Sequence, residues 1–455
     1  MRPRTATEEE HVNKFMRILT GALAGLVLAG GLAGGASAAA SPTIPSGSKG
    51  AIAGGGASFP NDQYQKWITD ITAAKSANFG SDSSTKLVLT YTKSSSGTGK
   101  ANFYGANARG TWMFSGSDSL LDAAQRTSAA AIPGGYIVVP MTAAPVAVIT
   151  HVSGYSKQIL LNAEIICGIY AGDITAWNDA KIVALNPGLS SVSTTIVPVA
   201  RDATSGTTFI FASYLAKGAS SAQRNCSYHS GWDNADTTFT AHSGTIKPAD
   251  AIMATRFSAM RTAKGAAAIQ SKTGNDGIRN YVSATDGTIG YVEMAYSFAA
   301  DVKTAKIATA TKYTSGANKG KPAYLAPTQS GATNAVERQA RTLAAAKTAA
   351  AKAENDPVNP ALTFFQPVLQ SGLYTYPIVG FSWLLVYKNY ESTVTNAPTL
   401  GQVKGLVYFL HWSLTSGAVY TASGVPCFAP LPSSVKARVL TELKLVKYDN
   451  AKVWP

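Results

Sequence analysis

Apolar residues in this chain come in short runs, separated by glycine, serine and threonine, and the runs follow two periods. Leu87–Thr92 (LVLTYT), Tyr136–Met141 (YIVVPM) and Pro145–Thr150 (PVAVIT) are brief, continuous and rich in β-branched residues, which predicts buried strands. Tyr64–Ala74 (YQKWITDITAA) and Phe209–Gly218 (FIFASYLAKG) space their apolar positions for one helical face. Strands and helices in alternation predict an α/β fold, with parallel sheets covered by helices on both sides.

The first apolar run has another character. Arg2, Arg4, Lys14 and Arg17 precede a glycine-broken stretch, Ile18–Gly35, that ends in ASAAAS (Ala36–Ser41). A basic start, an apolar middle and small residues at the end predict a cleavable signal peptide over 1–38 and export to the periplasm or beyond. The acidic triplet Glu8–Glu10 is unusual there and suggests Met16 as an alternative start. No cysteine closes the run, which argues against a lipid anchor. Residues 39–50 read as a Ser/Pro/Gly linker, and no later run reaches the ~18 apolar residues of a membrane span. The mature chain is therefore expected not to be membrane-embedded.

At 455 residues the chain has length for two domains. Two polar or low-complexity stretches, Ala219–Thr245 and Ala335–Asp356, read as insertions, the second as an alanine-rich, solvent-facing helix stopped by Pro357. Net charge is +14, or +13 without the signal peptide, but the basic residues are scattered and not interleaved with aromatics. That pattern argues against nucleic-acid binding and leaves attraction of anions or of acidic surfaces. HExxH, GxSxG and paired CxxC motifs do not occur. Cys226, His229 and His242 lack the second close pair of a zinc site, so no metal or cofactor is expected. Three cysteines, Cys167, Cys226 and Cys427, imply one disulfide and one leftover thiol after export.

The candidate chemistry lies in loops of small residues. SSSGTGK (Ser94–Lys100) follows a predicted strand and imitates a nucleotide loop, but Ser94 and Ala101 stand where that motif needs Gly and Ser or Thr. GGGASFP (Gly54–Pro60), SGSDS (Ser115–Ser119) and ARDATSGTTF (Ala200–Phe209) share its character. Each could aim N–H and O–H donors at an anion from the start of a helix; each could equally be ordinary capping and turn chemistry.

Three further segments carry a resemblance. GGGASFPNDQYQKW (Gly54–Trp67), GDITAWNDAKIVALNPG (Gly172–Gly188) and GNDGI with IGYVEMAYS (Gly274–Ile278, Ile289–Ser297) resemble the phosphate-binding proteins of the ABC phosphate importer, including their DING relatives. The resemblance runs from about Ala53 to beyond Pro432 and implies two Rossmann-like α/β domains joined by a two-strand hinge, the class II periplasmic-binding-protein fold. By it, domain I would comprise 51–141 plus 378–455, and domain II 142–377, with the chain crossing near Pro140 and Pro377. It implies a ligand set of Ser58, the Phe59 N–H, Ser95, Asp118, Arg201, Ser205, Gly206 and Thr207 around one phosphate. Lys100 is expected to play no part. The function implied is capture of inorganic phosphate by a monomer and delivery to an ABC permease, without catalysis.

Asp118 would set selectivity. A carboxylate beside an anion repels it unless the anion brings a proton, which HPO4²⁻ and H2PO4⁻ have and sulfate lacks. An alternative role is N-cap of a helix from Ser119. One departure from the family concerns the acid expected two places after Arg201: Ala203 stands there and the acid is Asp202. Either Asp202 orients the guanidinium or Arg201 is less constrained. DING relatives imply a Cys167–Cys226 disulfide. The alternatives to a transport role are a secreted phosphatase, needing a nucleophile such as Ser58, Ser95 or Ser205 with a base, and an adhesive extracellular protein.

Overall fold

Strands and helices alternate from Gly50 onward, as the apolar runs predict. The computed structural model describes residues 50–75, 87–105, 112–119, 121, 123–218, 257–258, 261–299, 301–345, 348, 356–358, 367–394 and 396–454. The predicted signal peptide, the linker ahead of residue 50, the first insertion and the Cys226/His229/His242 trio lie outside these residues.

Gly50–Gly56 (β1), Leu87–Lys93 (β2) and Phe114–Ser117 (β3) form a parallel group with β1 in the middle. Asn61–Lys75 (α1) and Ser96–Tyr104 (α2) connect them, and Ala123–Ala130 (α3) leads onward. Gly56 sits at φ +135°, and a Cβ there would stand 2.2 Å from the Gly116 carbonyl, so only glycine lets β1 end this close to β3.

The two strands predicted at Tyr136–Met141 and Pro145–Thr150 are one. Tyr136–His151 (β4) runs unbroken for 16 residues, buried at every position between its ends. A proline interrupts a sheet only where its missing N–H is needed. Pro140 sits where the pairing with Val379–Tyr387 (β12) slips by one residue between Ser382 and Trp383, and Pro145 pairs with Val379 at the end of that ladder. β4 therefore pairs with β12 along Tyr136–Pro145 and with Thr288–Glu293 (β8) along Val146–His151.

The second half repeats the α/β pattern. Leu160–Leu161 (β5), Ala163–Ala171 (α4) and Ala180–Leu185 (α5) precede Val197–Arg201 (β6), Gly206–Gly218 (α6), Gln270–Lys272 (β7) and Gly274–Ala284 (α7). β6 lies parallel to both β7 and β8. Lys303–Thr304 (β9) adds to β4, while Lys306–Lys312 (β10) and Pro322–Leu325 (β11) make a small sheet with β5. The main sheet runs β2-β1-β3-β12-β4-β8-β6-β7. Among the described residues the fold is α/β throughout.

Gln329–Ala345 (α8) corrects the reading of the alanine-rich stretch: the helix starts six residues earlier, and Ala332, Ala335, Val336 and Ala340 are buried. Alanine favours helix by propensity and also lets one face approach the core closely. Leu400–Thr415 (α9), opened by a Thr399/Gln402 capping box, packs behind β1. Cys167, on α4, is disulfide-bonded, and Cys427 is the buried free thiol. No helix among the described residues is long and apolar enough to cross a membrane.

Candidate functional site

The loops at issue all leave the C-terminal ends of parallel strands: β1 runs into Ser58 and Phe59, β2 into Ser95, β3 into Asp118, and β6 ends on Arg201. In open α/β sheets that edge is where ligands bind. Ser58, Phe59, Ser95, Asp118, Arg201, Ser205 and Thr207 are all buried. β1 and β3 are tied at this edge by the Ala57 N–H on the Gly116 carbonyl at 2.9 Å.

Asp118 is the centre of the polar contacts. Ser382 Oγ, from β12, donates to its Oδ1 at 2.6 Å, and Ser96 Oγ donates to its Oδ2 at 3.3 Å. Ser96 Oγ in turn accepts the N–H groups of Asp118 and Gly206, each at 3.1 Å. Asp118 thus does not cap a helix from Ser119; the next described helix is α3. Burial pushes its carboxyl up to about 7, against the lowering effect of the Ser382 and Ser96 hydroxyls and of the Arg201 and Lys100 charges.

The structure brings Gly206 against this carboxylate. A Cβ on Gly206 would stand 2.3 Å from Asp118 Cβ and 2.6 Å from Ser96 Oγ. Gly206→Ala should therefore push α6 away from Asp118, reducing anion affinity by about tenfold or more and destabilising the fold by about 1–3 kcal/mol. Titration and thermal melting of the variant check both.

Arg201 and Thr207 flank the turn from β6 into α6. Arg201 Nε and Nη1 and Thr207 Oγ1 are buried and have no hydrogen-bond partner among the described residues. Burial lowers the Arg201 pKa, opposed by Tyr291, Asp202, Asp118 and Tyr296. Buried donors are rarely left unmade, and a buried guanidinium least of all, because the desolvation penalty goes uncompensated. Asp202 does not hydrogen-bond the guanidinium; its carboxylate accepts from the Thr273 hydroxyl.

Three of the residues that the resemblance assigns also make local hydrogen bonds. Gly206 gives its N–H to Ser96. Ser95 is the N-cap of α2, accepting from the Thr98 N–H at 3.1 Å. Ser205 Oγ accepts from the Thr208 N–H at 3.3 Å. Accepting an N–H does not use the proton of the Ser95 or Ser205 hydroxyl, whereas the Gly206 N–H is already given to Ser96.

Sequence reasoning missed Ser96, Ser382 and the setting of Lys100. Lys100 is fully buried, donates to Ser119 Oγ at 2.9 Å and adds positive charge behind Asp118. Ser96 and Lys100 lie four apart on the inner face of α2, a spacing that marks them once the helix start is known. Ser382 is the only hydroxyl inside the apolar run VGFSWLLV (Val379–Val386), and polar residues in fully buried strands need a partner.

Comparison with known proteins places this geometry. The PBP superfamily domain matches residues 36–401. The chain belongs to the PBP superfamily. Among relatives, the phosphate-binding protein PstS of Xylella fastidiosa (strain Temecula1) is 28% identical over 247 residues, 54% of either chain. The match thus spans about half the length of that relative. PstS of Haemophilus influenzae is 25% identical over 88% of this chain and 96% of its own, and alkaline phosphatase L of Pseudomonas aeruginosa (strain UCBPP-PA14) is 26% identical over 85% and 87%. The solved structure of a high affinity periplasmic phosphate-binding protein bound with phosphate aligns at TM-score 0.55 and 23% identity, over 86% of this chain and 93% of that one. That likeness confirms the fold, a two-lobed PBP superfamily α/β architecture.

Proposed function

We propose that this PBP superfamily member captures one inorganic phosphate ion, carrying at least one proton, and delivers it to an ABC permease. The observation that carries the reading is the pairing of buried, unpartnered donors on Arg201 and Thr207 with a buried carboxylate, Asp118, whose partners are all donors. Donors alone would suit any oxyanion; a carboxylate among them suits only one that can give a proton. Ser58, the Phe59 N–H and Ser95 complete the proposed shell from the β1 and β2 edges. Domain I would be 51–141 plus 378–455 and domain II 142–377, closing about the β4 and Pro377 crossings. Contacts that would span the cleft support such a closed form: Lys93 with Asp276 at 2.6 Å, the Tyr296 hydroxyl with Asp62 at 3.4 Å, and the Gly97 N–H on Thr204 O at 3.3 Å. Export through the predicted signal peptide and a monomeric state belong to the same proposal.

A phosphatase reading, raised by alkaline phosphatase L, would require a base beside Ser58, Ser95 or Ser205. The two described histidines serve elsewhere: His151 bonds the Val282 carbonyl and His411 packs on Trp454. Thermal melting tests the proposal. Phosphate at about a thousand times its Kd adds about 4 kcal/mol, raising Tm by several degrees, whereas an unmoved Tm rejects capture. Release of phosphate from a chromogenic ester, surviving EDTA, would favour the enzyme.

A further inference from the structure

Asp118 is gripped by two serine hydroxyls whose proton directions are set by their other neighbours. Ser96 Oγ accepts two backbone N–H groups, those of Asp118 and Gly206. A backbone N–H can only donate, so both lone pairs of that hydroxyl are engaged. Its single proton has one direction left, toward Asp118 Oδ2. Ser382 Oγ receives the Tyr64 phenol at 3.4 Å and passes its own proton to Asp118 Oδ1 at 2.6 Å. Tyr64 is buried, which keeps its phenol protonated and therefore able to donate.

We infer that Ser96 and Ser382 are positioning residues that fix Asp118 as a hydrogen-bond acceptor, so that the proton shared with a bound anion must come from the anion. The inference rests on the phosphate reading above and extends it to two residues outside the assigned ligand set. Three elements converge to build the device: α2 supplies Ser96, the strand β12 supplies Ser382, and the first turn of α6 supplies the Gly206 N–H that orients Ser96. Ser96 also links the α2 and α6 sides, since one oxygen bonds Asp118 and Gly206 together.

The carboxyl has opposed influences around it. Burial favours its protonated form; the two hydroxyls and the charges of Arg201 and Lys100 favour the ionised one. Tyr64, Tyr91 and Glu293 also lie within its field; burial keeps the two phenols protonated and raises the Glu293 carboxyl above its ordinary value. Without either hydroxyl, Asp118 would keep its proton to higher pH. It could then donate to an anion that has no proton of its own, and sulfate would be admitted.

The test uses Ser96→Ala, Ser382→Ala and Ser382→Thr beside the parent, each titrated with inorganic phosphate and with sulfate from about pH 6 to about pH 9. Both alanine variants should bind sulfate up to about tenfold more tightly than the parent near pH 9 and about equally well below pH 7, with the onset of sulfate binding moved up by about one pH unit. Ser382→Thr, which keeps the hydroxyl, should retain the parent's profile. A ¹³C carboxyl titration of Asp118 in ligand-free protein reads the same shift without any anion. Alanine variants that lose phosphate affinity but keep the parent's sulfate profile and Asp118 titration would reduce both serines to packing and overturn the inference. A parent that binds phosphate and excludes sulfate while the variants behave alike isolates that failure. A parent that ignores phosphate sinks the underlying reading, and this inference with it.

Discussion

Arg201→Met is expected to lower phosphate affinity by about 10²- to 10⁴-fold while leaving the ligand-free protein as stable as the parent, or more so. The first half follows from its two buried, unpartnered N–H groups. A hydrogen bond to a charged group contributes about 1.5–3 kcal/mol, and two of them account for that range. The second half follows from the same atoms. A guanidinium withdrawn from water without partners costs stability, and burial already lowers its pKa. Methionine fills a similar volume without a charge to desolvate. Calorimetric titration reads the affinity and thermal melting the stability. A variant that melts several degrees lower would mean that attraction between Arg201 and Asp118 holds the fold, and that the arginine is structural.

Asp118→Asn is expected to reverse the choice of anion. The amide offers an N–H where the carboxylate accepts, so sulfate gains a donor and the proton on phosphate loses its acceptor. A site that excludes the unprotonated anion by about 10⁴ should fall to within about tenfold of parity. The parent's own selectivity should depend on pH in a direction the carboxyl fixes. Asp118 titrates near 7 in the folded chain, raised from 3.8 chiefly by burial. Above that pH it accepts and rejects sulfate; as pH falls through it, Asp118 gains a proton to donate and the exclusion should fade. The stability sign follows from linkage. Between about 4 and about 7 the folded chain holds a proton the unfolded chain has released, so this carboxyl's contribution is complete at low pH and lost as pH rises. Asp118→Asn should show neither the selectivity change nor that part of the stability slope. Selectivity in the variant equal to the parent's at pH 8 would remove Asp118 from its role.

These residues also show how far the sequence could be read. The alternation of period-2 and period-3.6 runs sufficed for an α/β fold, because core burial imposes those periods directly. The runs Tyr136–Met141 and Pro145–Thr150 read as two strands because the small residues between them break the apolar run, and only the pairing with β12, continued to Pro145 across the slip at Ser382 and Trp383, shows that they are one. The alanine-rich helix was misplaced because alanine suits both exposed and tightly packed faces. At the site, glycine and hydroxyl clusters were legible as donors, but their allocation was not. Whether Ser95 or Ser96 turns toward Asp118 depends on where α2 begins, and the N-cap falls on Ser95. Ser382 lies 264 residues from Asp118, a proximity that no local pattern encodes. Lys100 looked like the remnant of a nucleotide motif; its buried position beside Ser119 makes it part of the field behind Asp118.

This edge of the sheet is proposed to form a cage for one tetrahedral anion that must bring its own proton. Isothermal titration of the folded, exported form at about pH 8, with phosphate alone and then against a large excess of sulfate, tests it most directly. The prediction is one phosphate per chain, with Kd of about a micromolar or below and unchanged by sulfate. Absence of phosphate binding, or displacement of phosphate by sulfate at comparable concentration, would contradict it.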